Sequence, residues 1–555
     1  MIIKFAVKVI VSVFTAIAVV FGSIFSFFFG VSTVKYKINA SELGKTIPNM
    51  VSNVNVWDMA TQFYNCEKNT ENDIFEFVDY IQLMQCSGGN AERDLFKDPY
   101  DTSNLTDYDF SRLIKNCKGI LKLGAKPHLK FGSVPMKLTT DYKIGEVFGM
   151  NIYPPDNYNQ YYEYIKAIAQ ALVDEFGVDE VKTWHFGCMT EYENTDWFIA
   201  KSGKAKDSKT AYFKLYDYTV QALIDVIGED IYVGAHCMSV TEGLWDERTL
   251  LKHVTKEKNY ATGKKGTKID YISASFYDSE PGVYTSGYSL PEMIKRLKKS
   301  AKKYGLDDLK IGVDEGRILS GNTRGTDDSA LLSRTVGYTW QAAYDARLFK
   351  QGIDSSMDYI SSWDFFTNGL IHGIPAMTYH FAKNISAFAG SRQLDVSAEK
   401  MMARFGIESD CLAGWNDETQ TLRIMAYNFK NDVAYDRDMK LDFTVKVPQL
   451  DGKEVQVVKY LLNDDCNFFD EWVEDRKTYN ITDDCFSWSP DDPTIESPVV
   501  LQDSEARNLL QTELLEKYKQ CAELKPVYST AIVKNGKLKL SETIGGGNVV
   551  FYEIR

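Results

Sequence analysis

The chain has few residues that bind metals. It contains six histidines with no HExxH motif, and nine cysteines that stand singly with no CxxC pair. This pattern disfavours a metallohydrolase, a structural zinc site and an iron–sulfur cluster, and the odd cysteine count leaves at least one thiol unpaired. No GxGxxG loop occurs, and the glycine run at residues 545–547 follows no strand-to-helix junction. The sequence therefore predicts neither a metal nor another cofactor.

Positive charge is also scarce. The 63 Lys and Arg residues are outnumbered by 77 Asp and Glu residues, which gives a formal net charge of −14. No basic block is long enough to form a polybasic arm, so nucleic acid is disfavoured as a partner. The 555 residues are 44% hydrophobic and 25% charged. That composition is ordinary for a globular chain with one large domain and one smaller domain, and it leaves the oligomeric state open.

A long uncharged segment lies near the N-terminus. After Lys4 and Lys8, residues 9–34 carry no charge. A membrane-spanning helix needs about 20 apolar residues, whereas the core of a cleavable signal is usually about 7–15 residues long. We therefore predict a membrane anchor over residues 1–34, with a cleaved signal as the alternative. The preceding lysines would stay in the cytoplasm and place the rest of the chain outside the cell membrane, although Lys35 and Lys37 weaken this asymmetry.

The order of apolar runs predicts two domains after this segment. Residues 35–75 are interpreted as a juxtamembrane lead-in. Over residues 76–395, apolar runs alternate with stretches of helical spacing, which is typical of a (β/α)8 TIM barrel. The runs begin at residues 80, 125, 181, 231, 269, 309 and 357, and a second strand is expected near residues 100–112. Residues 396–555 show shorter alternating runs, which predict an accessory β-sandwich interrupted by one helix after residue 504.

Two glutamates follow strand-like runs of the predicted barrel. Glu191 follows VKTWHFGCMT, and Glu315 follows LKIGVD. A single acid after a strand is usually a solvated loop residue. Two acids at the C-terminal ends of strands four and seven are instead the pair that a retaining glycosidase needs. Asp314 is the nearest alternative to Glu315, and strand alternation predicts that only one of the two faces the barrel mouth.

Four stretches resemble glycoside hydrolase family 39, the family of β-xylosidases and α-L-iduronidases. They are YPPDNYNQYYEYIKAIAQALVDEFGVDEVKTWHFG from residue 153, YFKLYDYTVQALIDVIGEDIYVGA from residue 212, DYISASFY from residue 270, and LKIGVDEGRI from residue 309 followed by MDYISSWDFF from residue 357. The C-terminal segment YLLNDDCNFFDEWV from residue 460 is similar to the accessory β-domain of that family. The likeness covers roughly residues 75–555.

The resemblance implies roles for individual residues. Glu191 would be the general acid/base and Glu315 the nucleophile, and an ionised Glu315 would raise the pKa of Glu191 so that one carboxyl stays protonated. Tyr277 would donate a hydrogen bond to the nucleophile, with core packing as the alternative. Trp363 would form the floor of a sugar subsite. Thr190 stands where the clan usually has Asn to bind the sugar 2-hydroxyl.

Other positions depart from the family pattern. Lys130 stands where the family tends to carry an acid, Ser275 where it has His on the sixth strand, and Gly316 where it prefers Trp. The catalytic pair is thus kept while the surrounding shell is altered. We expect a retaining glycosidase acting on extracytoplasmic oligo- or polysaccharides with a substrate other than plain β-xyloside. The alternatives are a weakened or inactive carbohydrate-binding envelope scaffold on the same barrel, and an inverting enzyme or a lyase.

Overall fold

The chain divides into two compact units in a computed structural model. The structure describes residues 32–56, 76–90, 94–238, 246–280, 283–284, 288–317, 339–361, 374–399, 406–432, 434–482, 485–488, 499–501 and 503–555. One unit comprises residues 45–391 and 464–525, and is called the barrel unit below. The other comprises residues 1–44, 392–463 and 526–555, and is called the sheet unit.

Eight parallel strands of the described residues form the sheet of the barrel unit. Neighbouring strands pair in chain order, and the eighth strand returns to the segment before the first, where the Ile360 amide donates to the Met50 carbonyl at 2.9 Å. This return closes the sheet as in a (β/α)8 barrel. The strands are Asn53–Val56, Tyr80–Leu83, Lys126–Phe131, His185–Cys188, Tyr232–Cys237, Tyr271–Glu280, Lys310–Arg317 and Tyr359–Ile360. The two-residue strand Val283–Tyr284 pairs antiparallel with the sixth.

The first two barrel strands differ from the predicted assignment. The run at residue 80 is the second strand, and the first is Asn53–Val56, within the segment interpreted as a lead-in. Residues 100–112 contain no strand and lead into the helix Ser111–Lys122. The first strand has only four residues, NVNV, which alternate polar and apolar side chains instead of forming an apolar run. Strands three to eight follow the prediction, so Glu191 and Glu315 keep their places after strand four and on strand seven.

Helices separate the barrel strands along the chain. The helix Tyr158–Phe176 shows why they form where they do: the Asn157 side chain caps its N-terminus, and it ends at Gly177, whose φ of 82° suits glycine. Its buried residues include Ile165, Ile168 and Leu172, whose spacing gives one apolar face. The other α-helices that the structure describes before residue 391 are Ser111–Lys122, Val178–Val181, Ala205–Ile227, Glu247–Lys256, Leu290–Lys303, Thr339–Asp354 and Met377–Ser386.

Residues 464–525 belong to the barrel unit, although they were predicted to lie within the accessory domain. They form the helices Phe469–Tyr479, Ser504–Leu509 and Leu515–Cys521, and a small pair of strands, Phe486–Trp488 and Val499–Leu501. The His380 ring lies 2.6 Å from the Ala522 carbonyl, and Trp472 packs edge-on against Tyr518. The first contact ties the segment to the helix Met377–Ser386 of the barrel unit, and the second holds the segment's own helices together.

The sheet unit is a nine-stranded sheet folded over on itself. Phe443 and Tyr552 lie on strands that are far apart in the hydrogen-bonding order, yet their ring centroids are 5.8 Å apart and both belong to one core. Such face-to-face packing is that of the predicted β-sandwich. Its strands are Ser32–Thr46, Arg392–Ala398, Cys411–Asn416, Thr421–Tyr427, Met439–Lys446, Glu454–Leu462, Val527–Ile532, Lys537–Ile544 and Val549–Ile554, with a separate pair formed by Ile407–Glu408 and Phe429–Lys430.

The strand Ser32–Thr46 also differs from the predicted boundaries. It pairs with Met439–Lys446 and buries Val34, Tyr36 and Ile38 while their neighbours stay exposed. Residues 32–34, interpreted as the end of the membrane anchor, are therefore part of a sheet. The rest of that predicted anchor, residues 1–31, lies outside the described residues. Across the part of the chain that is described, none of the helices combines the length and apolar character needed to cross a membrane.

Candidate active site

Glu191 lies in the loop after the fourth barrel strand, at the C-terminal mouth of the barrel. Its carboxylate accepts hydrogen bonds from Ser275 Oγ at 2.6 Å and from Asn194 Nδ2 at 2.8 Å, and also from the Trp197 side chain. The residue is 6% exposed, and its φ of 42° lies in the left-handed region. That conformation costs a non-glycine residue about 1–3 kcal/mol and occurs most often at functional sites.

Glu315 lies on the seventh strand. Tyr277 lies on the sixth strand, which pairs with the seventh. Its hydroxyl donates a hydrogen bond to Glu315 Oε1 at 2.7 Å. This is the contact that the resemblance implied for Tyr277. A shift of register precedes it, because Ala274 pairs with Val313 whereas Ser275 pairs with Glu315. Asp314 is therefore an extra residue in the seventh strand, as in a β-bulge.

The two glutamates face each other. One carboxylate oxygen of Glu191, one of Glu315 and a ring nitrogen of His236 all lie within 4.8 Å of one another. Retaining glycosidases hold their two carboxyl groups about 5–5.5 Å apart, whereas inverting enzymes hold them about 6.5–9.5 Å apart to leave room for a water. An oxygen-to-oxygen separation of at most 4.8 Å is closer to the retaining spacing than to the inverting one.

These three side chains are also the one group among the described residues with the spacing of metal ligands. The donor set does not suit a metal, however. His236 Nδ1 lies 2.7 Å from Lys130 Nζ, and His236 Nε2 lies 2.9 Å from Ser275 Oγ. Because a lysine ammonium only donates hydrogen bonds, the lone pair of Nδ1 is already used, and Nε2 then carries the ring proton. His236 has no lone pair left for a metal ion.

Asp314 and Glu315 both lie inside the barrel, but only Glu315 lies beside Glu191. Asp314 is fully buried, its Oδ2 lies 2.8 Å from Lys130 Nζ, and its Oδ1 accepts from Tyr359. The prediction that only one of them faces the barrel mouth depended on strand alternation, and the bulge interrupts that alternation. Gly312 makes room for this arrangement, since a Cβ there would lie 2.4 Å from the Tyr359 ring.

The ion pair between Asp314 and Lys130 explains one departure from the family pattern. Burial would raise the pKa of Asp314, but the charge of Lys130 lowers it well below the usual range. The aspartate is thus ionised and needs a buried cation. Lys130 on the third strand supplies that cation, and its own nearest partners are Asp314 and His236.

Glu191 has a raised pKa, as the sequence predicted, but the largest cause is different. Burial of the carboxyl raises the pKa most, while the hydrogen bonds from Ser275 and Asn194, the charge of Lys130 and the bond from Trp197 act against it. A buried carboxyl with a raised pKa is suited to donate a proton to a leaving group near neutral pH. The sequence argument had attributed the shift to the neighbouring carboxylate alone.

Thr190 has a different partner from the predicted one. Its hydroxyl donates a hydrogen bond to the Met84 carbonyl at 3.1 Å, and the residue is only 1% exposed. The hydroxyl has one proton, and the hydrogen bond that it makes joins the loop after strand four to the end of strand two. This arrangement does not support the predicted donation from Thr190 to the sugar. Trp363, predicted as a subsite floor, lies outside the described residues.

Sequence reasoning missed several residues around the carboxylates. Asn194 and Trp197 both bind Glu191, and Trp197 stacks on Phe148 with ring centroids 4.0 Å apart. Their closeness to Glu191 in the loop YENTDW was the available signal, since a tight turn brings residues three to six positions apart together. Gly316 is also explained, because a Cβ there would lie 2.6 Å from the Phe276 carbonyl.

A parallel eight-stranded barrel with an oxygen of each of two carboxylates within 4.8 Å of the other at its C-terminal mouth is the arrangement of the barrel glycosidases. Comparison with known proteins identifies the family within that class. The sequence matches the family described as glycosyl hydrolases family 39 over residues 95–504. The chain belongs to that family, which confirms the resemblance found in the sequence.

The individual relatives and solved structures share only a low sequence identity with the chain. The chain is 23% identical over 342 residues to a β-xylosidase from Caldicellulosiruptor saccharolyticus and 23% identical over 339 residues to one from Geobacillus stearothermophilus. The matched parts cover 58% and 56% of this chain, and 64% and 62% of those proteins, so the chain spans less than two thirds of either. The crystal structure of a monomeric β-xylosidase from Caulobacter crescentus aligns with a TM-score of 0.63 at 15% identity, covering 94% of this chain and 99% of that one. This likeness confirms the TIM-barrel-type fold.

Proposed function

We propose that the protein is a retaining glycoside hydrolase in which Glu315 is the nucleophile and Glu191 the general acid/base. The observation that carries this proposal is the approach of the two carboxylates to within 4.8 Å at the ends of barrel strands seven and four. The β-xylosidase relatives and the family assignment support it.

The proposal gives each carboxyl one role in a double displacement. In the first step, Glu315 attacks the anomeric carbon and forms a glycosyl ester, the glycosidic C–O bond breaks, and the Glu191 proton passes to the leaving oxygen. In the second step, ionised Glu191 takes a proton from water, the hydroxide attacks the anomeric carbon, and the ester bond to Glu315 breaks. Tyr277 can steer the nucleophile, since its hydroxyl already binds Glu315 Oε1.

Turnover of an aryl-glycoside panel tests the proposal. Xylosides, arabinosides, galactosides, glucosides and uronides are incubated with the protein, and NMR identifies the anomer that forms first. We expect hydrolysis of one glycone with retention of configuration. First formation of the inverted anomer would contradict the retaining mechanism. Binding of sugars without turnover by a folded protein would support the alternative of a carbohydrate-binding scaffold.

We also propose that the protein works outside the cytoplasm, attached to the membrane by its N-terminal segment. The support is the sequence: residues 9–31 remain uncharged before the strand that begins at Ser32, and this length still meets the requirement of about 20 residues for a span. We expect the full-length chain to stay in the membrane fraction after alkaline carbonate washing, and a chain that begins at residue 32 to be released. Release of both forms would contradict the anchor.

A further inference from the structure

A buried row of polar side chains runs through the barrel interior to the Glu191 carboxylate. Lys130 Nζ lies 2.8 Å from Asp314 Oδ2 and 2.7 Å from His236 Nδ1. His236 Nε2 lies 2.9 Å from Ser275 Oγ, and Ser275 Oγ lies 2.6 Å from Glu191 Oε1. Each of these five residues is at most 6% exposed. The row crosses barrel strands seven, three, five and six, and it ends in the loop after strand four.

The hydrogen-bonding capacity of these groups fixes the direction of every bond. A lysine ammonium has three donors and no acceptor, so His236 Nδ1 must accept from Lys130. Burial, and then the charge of Lys130, lowers the pKa of His236 far below its usual value, so the ring is neutral and carries its one proton on Nε2. His236 therefore donates to Ser275 Oγ. Ser275 has one hydroxyl proton, and it points to Glu191 Oε1.

We propose that Lys130, anchored by Asp314, is a positioning residue that holds His236 in the Nε2–H form and thereby makes Ser275 donate its proton to Glu191. This inference rests on the proposed role of Glu191 as the acid/base. Lys130 acts through His236 and Ser275 and has no access to substrate, because it is fully buried. The proposal gives a function to Lys130 and Ser275, which depart from the family pattern, and to His236, which the sequence analysis did not identify.

Loss of Lys130 would reverse the direction of the hydrogen bond between His236 and Ser275. Without a donor at Nδ1, His236 can carry its proton there, and its Nε2 lone pair can then accept from Ser275. The Ser275 hydroxyl would turn away from Glu191 Oε1, because it has only one proton. Since the bond from Ser275 counteracts the effect of burial on the Glu191 pKa, its loss raises that pKa further. The loss of the Lys130 charge acts in the same direction.

Other groups around Glu191 stay unchanged in such a variant. Glu315 faces it from strand seven, Glu193 lies two residues away in the same loop, and the uncharged donors Asn194 and Trp197 bind it directly. The charge of Lys130 also acts on Glu315, so the limb of the pH profile that reports on the nucleophile should move as well in Lys130→Met. Ser275→Ala removes no charge, so its shift should be confined to the limb that reports on Glu191.

The activity test compares Lys130→Met and Ser275→Ala with Lys137→Met. Lys137 is a matched control, because it is also buried and paired with an aspartate, Asp107, but has no contact with the row. The measurement is the pH profile of kcat/KM for an aryl glycoside with a poor leaving group, whose basic limb reports loss of the Glu191 proton. We expect that limb to move up by about 0.5–1 unit in Lys130→Met and in Ser275→Ala, and to stay in place in Lys137→Met.

The double variant gives a stricter test. If Lys130 acts partly through Ser275, the shift in Lys130→Met/Ser275→Ala is smaller than the sum of the two single shifts. Additive shifts would overturn the coupling, as would a basic limb that moves in Ser275→Ala and stays in place in Lys130→Met. Should Lys130→Met not fold because Asp314 is left unpaired, Lys130→Met/Asp314→Asn removes both charges and is measured in its place.

A second readout does not need turnover. The chain has six histidines, so nitrogen-15 NMR of labelled histidine is tractable, and His236→Gln identifies the signal of interest. We expect the Nε2–H form in the wild-type protein and in Ser275→Ala, and the Nδ1–H form in the variant that lacks Lys130. An unchanged Nε2–H form without Lys130 would overturn the inference. Absence of glycosidase turnover would instead contradict the proposed function, while the NMR result still decides the role of Lys130.

Discussion

Glu315→Gln is expected to reduce kcat by about 10⁴-fold or more, while the protein remains folded. The nucleophile forms the covalent intermediate, and an amide cannot replace a carboxylate in that step. A loss of this size corresponds to about 5.5 kcal/mol of transition-state stabilisation. The substitution is nearly isosteric and removes no large packing surface. The measurement is steady-state hydrolysis of the glycoside that the panel identifies, with thermal unfolding as the test of folding.

Trapping of the covalent intermediate tests the same assignment of Glu315. A glycoside fluorinated at position 2, with an activated leaving group, should leave an ester on Glu315 that peptide mass spectrometry locates. An ester on Asp314 would contradict the assignment, and Asp314 is the appropriate comparison because it is adjacent in sequence. The ion pair with Lys130 and the hydrogen bond from Tyr359 occupy Asp314, whereas Tyr277 binds Glu315 at the mouth.

Glu191→Ala should lower kcat/KM by about 10²–10⁴-fold for substrates with poor leaving groups, and far less for dinitrophenyl glycosides. General acid catalysis contributes about this much when the leaving oxygen needs a proton, and little when the leaving group is stable as an anion. For the activated substrate, the second step becomes limiting, because no base activates the water. Added azide should then restore turnover and form a glycosyl azide, since the anion no longer meets a carboxylate.

Glu193→Gln is the matched control for this variant. Glu193 lies two residues from Glu191 and is fully buried, and burial raises its pKa well above the usual range. A neutral carboxyl at this position is close in shape and charge to a glutamine, so turnover should change little. A dependence on leaving group as strong in Glu193→Gln as in Glu191→Ala would mean that the acid has been assigned to the wrong residue.

The barrel of this protein has a polar interior next to the catalytic pair. Asp314, Lys130 and His236 lie in a region where other barrels of this type carry mainly apolar side chains. Replacing one charge of a buried pair leaves the other unpaired and costs about 3–5 kcal/mol, so these residues constrain one another. Gly187 contributes room as well, since a Cβ there would lie 2.7 Å from the Tyr271 hydroxyl and 3.0 Å from Lys130 Cγ.

Three parts of the fold have sequence patterns that did not identify their place in the structure. The strand Ser32–Thr46 alternates buried and exposed residues in VKYKIN, which is a clear two-residue period, but its position next to a long apolar segment favoured a different interpretation. The first barrel strand, Asn53–Val56, gave little signal because two of its four residues are asparagine. The segment 464–525 carries helices that suit either unit, and only its long-range contacts assign it to the barrel.

The amino-acid sequence by itself determined the family, the alternation of strands and helices that predicts a barrel, and the positions of Glu191 and Glu315. These features depend on residue types and their order along the chain, which local patterns preserve. The tertiary structure alone decided which side chains surround the carboxylates. The bulge at Asp314 turns two adjacent acids inward, and the row from Asp314 through Lys130 and His236 to Ser275 joins four strands that are far apart in sequence. Such contacts depend on register and closure of the barrel, and no local pattern encodes them.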